Sequence, residues 1–552
     1  MHGQQPQVIV DYLRKTCFSY ESPFINTIDG PKMGNRFRKR VMGSKMNESS
    51  LSSKAKLLLL CIYIVISLFL HLRHELWRDE AQAWLLASNS ENLRQLVHQM
   101  PYEGTPALWH FLLYLLAKFG LPYFSMQVVH FLIIFLAILV FTEKSPLGPR
   151  IKVFLPFTYY MLYEYNVVSR NYGLSVLLFF LIATYNEQRF SKAIIYSIFV
   201  ALLANTNVHS FVLSLIIGAL YFYETLRGRH RTLQNVVALL LIAGGLGAAF
   251  LQLLPPSDIS PNLSHWNFNV SIGRFLHVLA GFSRAFIPLP LNPGSFLSSF
   301  WDLRISNRVF EYALALFGGG LVCLTSWTLS RRRSRYLYLL SILALFAIFY
   351  LKHPGNLRHY GFFIVLYIFS LWISTPKIQG LKKGASRRRE IGLNLLLIVL
   401  TIQIIISFAI ALLESRYDFS QGKNVAYFLK KRGLASSTTL IVTYPSPPAL
   451  SVLLYLPKDY RGFFSLELLD FYKFIIRNRE LYDNSSLSKR EILRRLEKTA
   501  KMSGASRILF LTTHSMEDSL ASDLRLLKEF APALKREEEY YLYSVKLHGV
   551  IE

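Results

Sequence analysis

Uncharged runs of 15 to 20 residues rich in Leu, Ile, Val and Phe recur along most of this 552-residue chain, and short clusters of Lys and Arg separate many of them. Inside a bilayer every backbone amide must be satisfied within the segment or by a closed barrel, and roughly 20 apolar residues suit a crossing helix. The apolar share of 52% against 17% charged residues fits the same reading, a polytopic α-helical membrane protein. The net charge of +27 would otherwise suggest nucleic acid, but the cations fall between apolar runs, as they do in cytoplasmic loops. No nucleic-acid role is expected. Cys17, Cys61 and Cys323 lie in the N-terminal stretch or in apolar runs and form neither a disulfide framework nor a metal-ligand spacing.

Residues 1–56 carry ten Lys or Arg against four Asp or Glu and no long apolar run, so a basic, disordered cytoplasmic tail is expected, with Met33, Met42 and Met46 as alternative starts. Leu57 to Leu72 forms the first membrane helix. The clusters Arg227 to Arg231, Arg331 to Arg335 and Lys382 to Arg389 set the later topology by the positive-inside tendency. Helices are expected at 192–208, 210–226, 234–254, 308–329, 334–351, 357–374 and 391–413. In that phase 167–170, 207–210, 255–307, 351–357 and everything after Glu414 face outward. Farther forward, 105–119, 124–141, 151–165 and 171–187 are all apolar. Keeping 142–152 inside makes 105–119 a juxtamembrane or re-entrant helix and gives about 11 crossings, with about 13 as the alternative. The membrane domain is thus 57–413, with outer loops at 75–104 and 255–307; the second is read either as a lid or acceptor surface or as carrying a plain amphipathic interfacial helix around 271–287.

The stretch Leu76-Trp77-Arg78-Asp79-Glu80-Ala81-Gln82-Ala83-Trp84 emerges from the first helix at the outer face. Two adjacent carboxylates between tryptophans suited to the headgroup level are either solvated loop charges or a site. Beyond them lies Tyr102-Glu103-Gly104-Thr105-Pro106-Ala107-Leu108, leading into the next apolar segment. This layout resembles the GT-C class of integral-membrane glycosyltransferases, the glycosyltransferase family 39-like group that includes protein O-mannosyltransferases and the lipid A aminoarabinose transferase. In that class the first outer loop carries an Asp-Glu pair followed by a Glu-Gly-His-Pro-Pro-Leu-like element. Thr105 stands where His is usual, and Ala107 replaces the second Pro. Glu103 and Trp77 join the candidates from these two stretches.

Three later stretches add polar groups at the same face. Arg170-Asn171-Tyr172-Gly173-Leu174 resembles the Arg-x-Tyr-x-Leu element of the same glycosyltransferases, and a guanidinium there can bind a phosphate bidentately, unless Glu164 pairs with it. Lys352-His353-Pro354-Gly355-Asn356-Leu357-Arg358-His359 is a basic turn, and an Arg-His pair opening a late helix resembles bacterial members. Lys352, Arg358 and His359 are therefore candidates for the charge of a leaving phosphate. Asn205 to Ser210 is a polar break that offers His209 as a site residue or as part of an ordinary turn.

From Tyr417 the composition becomes that of a soluble α/β module, so 414–552 is expected as a small extracytoplasmic domain that recognises substrate or braces the site. Strands are expected at 438–443, 461–465, 507–512 and 540–547, and helices at 424–433, 447–456, 487–503 and 517–530, with Ser488 and Glu491 as a capping box.

The resemblance implies a GT-C fold and an inverting enzyme that moves a hexosyl or pentosyl group from a polyprenyl-phosphate carrier to a lipid, glycan or protein acceptor outside the cytoplasm. Asp79 is then the catalytic base and Glu80 its neighbour; Arg170 and Tyr172 orient the donor, and Arg358, His359 and Lys352 meet its phosphate. No cofactor and no metal site are expected from the residues, although some GT-C members need a divalent ion. The rival reading is a transporter or flippase of lipid-linked sugars. Such proteins usually carry internal repeats with broken helices at the midplane, and this sequence shows none.

Overall fold

The computed structural model describes residues 51–228, 230–261, 265–289, 307–375, 383–436, 438–503, 505–516 and 523–546. The expected tail lies almost wholly outside them, as do residues 290–306 of the second outer loop. Among the described residues eight helices are long and apolar enough to cross a membrane: Ser53–Arg73, Ser125–Lys144, Val208–Arg227, Leu233–Leu253, Arg308–Thr328, Arg332–Leu351, Leu357–Ser374 and Arg387–Arg416. At about 1.5 Å per residue, helices of 20 residues match a hydrocarbon core of about 30 Å.

The front half departs from uniform crossings for local reasons. Leu108–Lys118 has only 11 residues, in line with a helix that does not span. The expected helix at 151–165 is instead Pro149–Phe154, a 3-10 turn at Leu155–Phe157 and a π-helical turn at Tyr159–Glu164. Pro156 has no amide to continue the ladder. The helix expected at 192–208 stops as Ala193–Ala204, because the Asn205 side chain bonds back to the Ala201 carbonyl and across to that of Gly245, both at 2.9 Å.

At the centre stands Leu357–Ser374, whose membrane window is 89% buried. A helix enclosed on all sides needs no polar stripe, and beyond its first turn this one is largely apolar all round. It packs against Asn171–Tyr185, Ile272–Phe286 and Arg332–Leu351. The close approach depends on Gly361, where a Cβ would run into the Tyr165 hydroxyl and the Tyr160 ring.

Charge separates the two ends of the bundle. One carries ion pairs between basic loop residues and helix ends, Lys56 with Glu143 at 2.7 Å, Arg189 with Glu224 at 2.9 Å and Arg331 with Glu187 at 3.0 Å. The other carries the short helices Arg78–Asn89 and Leu93–Glu103 and the α/β domain. A helix does form in the second outer loop, Ile272–Phe286, but its second half is buried against Arg308–Thr328 and Leu357–Ser374.

The domain is a six-stranded mixed sheet in the order β3-β2-β1-β4-β6-β5, made of β1 (Thr439–Tyr444), β2 (Phe463–Ser465), β3 (Asp470–Tyr472), β4 (Arg507–Thr512), β5 (Leu524–Phe530) and β6 (Tyr540–Val545). Strand β1 runs parallel to β2 and β4, and the remaining pairs are antiparallel. The helix expected at 517–530 is a misreading over its second part. Leu524–Phe530 is an edge strand paired with β6 through Leu526↔Tyr543 and Phe530↔Tyr540, while 517–522 lies outside the described residues. The Leu spacing of LRLLKEF suits a helix as well as a strand, and the pairing decides between them. Gly422–Lys431 and Lys489–Ser503 form near their expected places, while 447–456 keeps only Leu450–Leu453 as helix. Half of the expected capping box forms: Ser488 accepts the Glu491 amide at 3.3 Å, but the Glu491 side chain turns to Arg494 and Arg495.

The domain shares a core with the outer helices. Leu85, Trp109 and Leu113 pack in one buried cluster with Leu450, Leu453 and Phe463.

Candidate active site

Asp79 is the second residue of helix Arg78–Asn89, close to the unpaired amides of its first turn, where a carboxylate is favoured. Its Oδ2 lies 2.9 Å from Nη1 of Arg170 and 3.0 Å from Nη2 of Arg358, and Arg78 Nε stands 3.7 Å from Oδ1. Burial alone would raise the carboxyl's pKa, but Arg170, Arg358 and Arg78 outweigh it and hold the group well below the usual carboxylate range. Asp79 is therefore ionised across physiological pH and poorly basic while both guanidiniums hold it.

Each arginine is placed by its own segment. Arg170 is the N-cap residue of helix Asn171–Tyr185, and the ring nitrogens of buried His130 lie 2.8 Å from the carbonyls of Asn166 and Arg170, which pins the loop. Arg358 sits in the first turn of Leu357–Ser374, where the Tyr165 hydroxyl donates to its carbonyl at 2.6 Å. Tyr172 and His359 meet beside it, Oη to Nε2 at 3.1 Å, and His359 Nδ1 accepts the Asn356 amide at 3.2 Å. His209 stacks on His359 at 4.9 Å between ring centres.

Glu80 points the other way. It is fully buried, accepts the Ser169 amide at 2.6 Å with Oε1, and sets Oε2 3.0 Å from His74 Nε2 and 3.4 Å from the Trp77 amide. The other nitrogen of His74 lies 2.5 Å from Glu414, near the end of the last long helix. Burial would lower the pKa of His74, yet Glu80 and Glu414 raise it well above the ordinary value. This Glu80–His74–Glu414 chain ties the loop holding Arg170, the helix holding Asp79 and the last membrane helix to one another.

Trp77 is 4% exposed and serves as a platform: Arg358, Arg78 and Lys535 lie over its ring at 5.4, 5.7 and 5.1 Å. Glu103 accepts from Gln82 at 2.8 Å and faces Arg477 at 3.7 Å. Lys352 does not join the Asp79 cluster; its ammonium lies over Trp266 at 5.1 Å. Glu164 accepts a hydrogen bond from Tyr159 at 2.5 Å, and Arg170 pairs with Asp79. Among the described residues no group of three or more His, Cys, Asp or Glu comes together as a metal site.

The structure thus brings together Asp79, Arg170, Arg358, Trp77, Tyr172, His359 and His209, with Glu80 and Glu103 alongside. Sequence reasoning missed His74, Arg78, Glu414, Arg477, Lys535 and Glu538. The last three come from the α/β domain, where nothing in their local sequence marks them. Glu538 accepts the Arg78 amide at 2.7 Å and the Ser420 hydroxyl at 2.5 Å, and burial pushes its carboxyl up to about 7. His74 could have drawn notice as an ionisable residue at the end of an apolar run.

A bundle of this kind, with an acid-bearing helix after the first membrane helix and a small α/β domain beyond the last, has the fold of GT-C integral-membrane glycosyltransferases. It superposes on the crystal structure of ArnT from Cupriavidus metallidurans bound to undecaprenyl phosphate with a TM-score of 0.51 and 10% identity, over 90% of this chain and 98% of ArnT. The apo form of ArnT gives 0.49 and 11% over 89% and 98%. No family model matches the chain, and no curated protein matches its sequence.

Proposed function

We propose that this multi-pass membrane protein is a glycosyltransferase that takes a sugar from a polyprenyl-phosphate carrier and transfers it, with inversion, to a lipid, glycan or protein acceptor. The observation that supports this best is the convergence of Asp79, Arg170 and Arg358 at the end of the bundle opposite its basic ion pairs. A carrier phosphate has the charge and the geometry to compete with Asp79 for the two planar guanidiniums. As they turn to it, Asp79 loses the charges that hold its pKa down and becomes a better base. It then accepts the proton of the acceptor hydroxyl or amine as that atom bonds to the anomeric carbon, while the bond from that carbon to phosphate oxygen breaks. The carrier leaves with the negative charge, which Arg170 and Arg358 stabilise, and His359 and Tyr172 support that side.

Glu80 orients Asp79, and Trp77, Glu103 and His209 shape the pocket. The α/β domain braces it from above through Lys535 and Glu538. In this reading the site faces away from the cytoplasm, the N-terminus is cytoplasmic and the C-terminal domain is extracytoplasmic. The likeness of the fold to a protein bound to undecaprenyl phosphate agrees with such a donor.

Sugar transfer in membranes from cells expressing the wild-type chain or Asp79→Asn tests the proposal, with a panel of polyprenyl-phosphate sugars and mixed envelope acceptors. Transfer by the wild type and its loss in a normally inserted Asp79→Asn is the expected result. Equal transfer by both removes Asp79 from the chemistry. No transfer by either, with passage of lipid-linked sugar across vesicles, replaces the enzyme by a flippase.

A further inference from the structure

We propose that the cleft between the last membrane helix, helix Gly422–Lys431 and strand β5 binds the anionic phosphate headgroup of a membrane lipid. The cleft has a volume of about 610 Å³ and takes four cations from three elements, Arg416, Lys431, Arg432 and Lys528. None of the four makes an ion pair among the described residues. Three of them lie over aromatic rings instead: Lys431 over Tyr427 at 6.0 Å, Arg432 over Phe428 at 5.7 Å and Lys528 over Phe530 at 4.9 Å.

The two acids of the cleft are already engaged. Asp418 accepts from Gln421 at 3.1 Å and from Asn424 at 2.8 Å, and Glu529 accepts from the Tyr541 hydroxyl. Four cations without carboxylate partners around one cavity, beside two carboxylates satisfied elsewhere, favour an anionic occupant.

Position identifies that occupant as a lipid. Helix Lys383–Arg416 has 34 residues and so runs about 51 Å, more than a hydrocarbon core of about 30 Å. Its apolar part spans 391–413, which sets Arg416 about one turn beyond, at headgroup level. Tyr417 and Tyr427 line the same cleft, and Tyr427 is 62% exposed, as suits an amphipathic ring in the interfacial belt.

The cleft is distinct from the Asp79 site. A backbone seam divides them, in which Leu534 donates to the Asp418 carbonyl at 2.9 Å and Lys535 to that of Phe419 at 3.0 Å. Phe419 and Leu534 pack on Trp77 on one side, while Asp418 and Pro532 line the cleft on the other. A bound headgroup would thus steady the seam that carries Lys535 to the active site.

The test uses the full-length chain, delipidated in detergent and offered equal amounts of phosphatidylglycerol and phosphatidylcholine, with retained lipid counted by native mass spectrometry. The wild type is expected to prefer phosphatidylglycerol about tenfold, the scale set by a few cations at a lipid surface. Lys431→Gln/Arg432→Gln/Lys528→Gln should fall to parity, and all three side chains are exposed, so folding is not at risk. Arg490→Gln/Lys498→Gln/Lys501→Gln, on a helix that does not border the cleft, removes the same charge and should keep the preference. A cleft variant that prefers phosphatidylglycerol as strongly as the wild type overturns the proposal. So does soluble glycerol phosphate binding as tightly as the lipid, which would make the cleft a site for free phosphate.

Discussion

Arg358 holds its guanidinium 3.0 Å from the Asp79 carboxylate while its charge lies 5.4 Å over the Trp77 ring, so one side chain links the acid to its platform. A planar fork can bind the carboxylate and lie on the indole at once, and a compact ammonium fills both roles less well. Arg358→Lys is therefore expected to keep the fold and lose transfer by about a hundredfold, since disrupting one partner of a desolvated charge pair costs about 2–5 kcal/mol. The change should lower kcat as well as raise KM for the donor, because the guanidinium both binds the carrier phosphate and stabilises the charge that leaves on it. Steady-state kinetics against a range of donor concentrations reads the split, and an unchanged kcat/KM would remove Arg358 from the site.

Glu538 should make the stability of the assembly fall as pH rises. Its carboxyl lies at about 7 in the folded chain against an ordinary 4.5, so folding favours the protonated form. The associated stability is fully present below the ordinary value and is lost as pH climbs through about 7. A shift of this size corresponds to about 3 kcal/mol. Thermal unfolding of the full chain followed from mildly acidic to mildly basic pH should show a falling Tm. Glu538→Gln, which keeps the contacts to Ser420 and the Arg78 amide without titrating, should flatten that part of the slope. An unaltered slope would place the titration elsewhere.

His74 lies between two carboxylates that the fold has removed from water. His74→Phe leaves Glu80 and Glu414 buried without the imidazole, and such a loss typically costs about 3–5 kcal/mol. A lower Tm is expected, together with reduced transfer, because Glu80 also holds the Ser169 amide next to Arg170. Adding Glu414→Gln should recover part of the stability by removing one of the stranded charges. If His74→Phe and the double variant unfold together at the wild-type temperature, the buried chain carries none of the stability assigned to it.

The membrane helices were legible because bilayer crossing needs long apolar runs, and Lys and Arg clustering gave the phase that groups the polar loops. This phase placed Asp79, Arg170 and Arg358 at one end of the bundle, where the structure brings them into contact. Lys352 shares the basic turn with Arg358, yet it precedes the helix start and turns to Trp266, a direction the spacing does not encode. The domain residues Arg477, Lys535 and Glu538 were not legible, because each reaches the site through tertiary packing and has no motif around it. Strand β5 was misread for a related reason: its Leu pattern fits two periods, and only the register with β6 selects one.

Gly361 tests how tightly the arginine is positioned. Helix Leu357–Ser374 runs against the aromatic turn at 159–165 with no room for a methyl group at this position, where a Cβ would overlap the Tyr165 hydroxyl and the Tyr160 ring. The same hydroxyl donates to the Arg358 carbonyl at 2.6 Å. Gly361→Ala must therefore move the helix or the tyrosine, and either shift displaces Arg358. Overpacking of this kind costs about 1–3 kcal/mol, partly offset by the better helix propensity of Ala. The expected outcome is a chain that still inserts, with a modestly lower Tm and a larger proportional loss of transfer. Tyr165→Phe should not rescue it, because Tyr160 still blocks the methyl group. A Gly361→Ala protein with wild-type transfer would mean that the first turn of this helix has slack that the packing does not show.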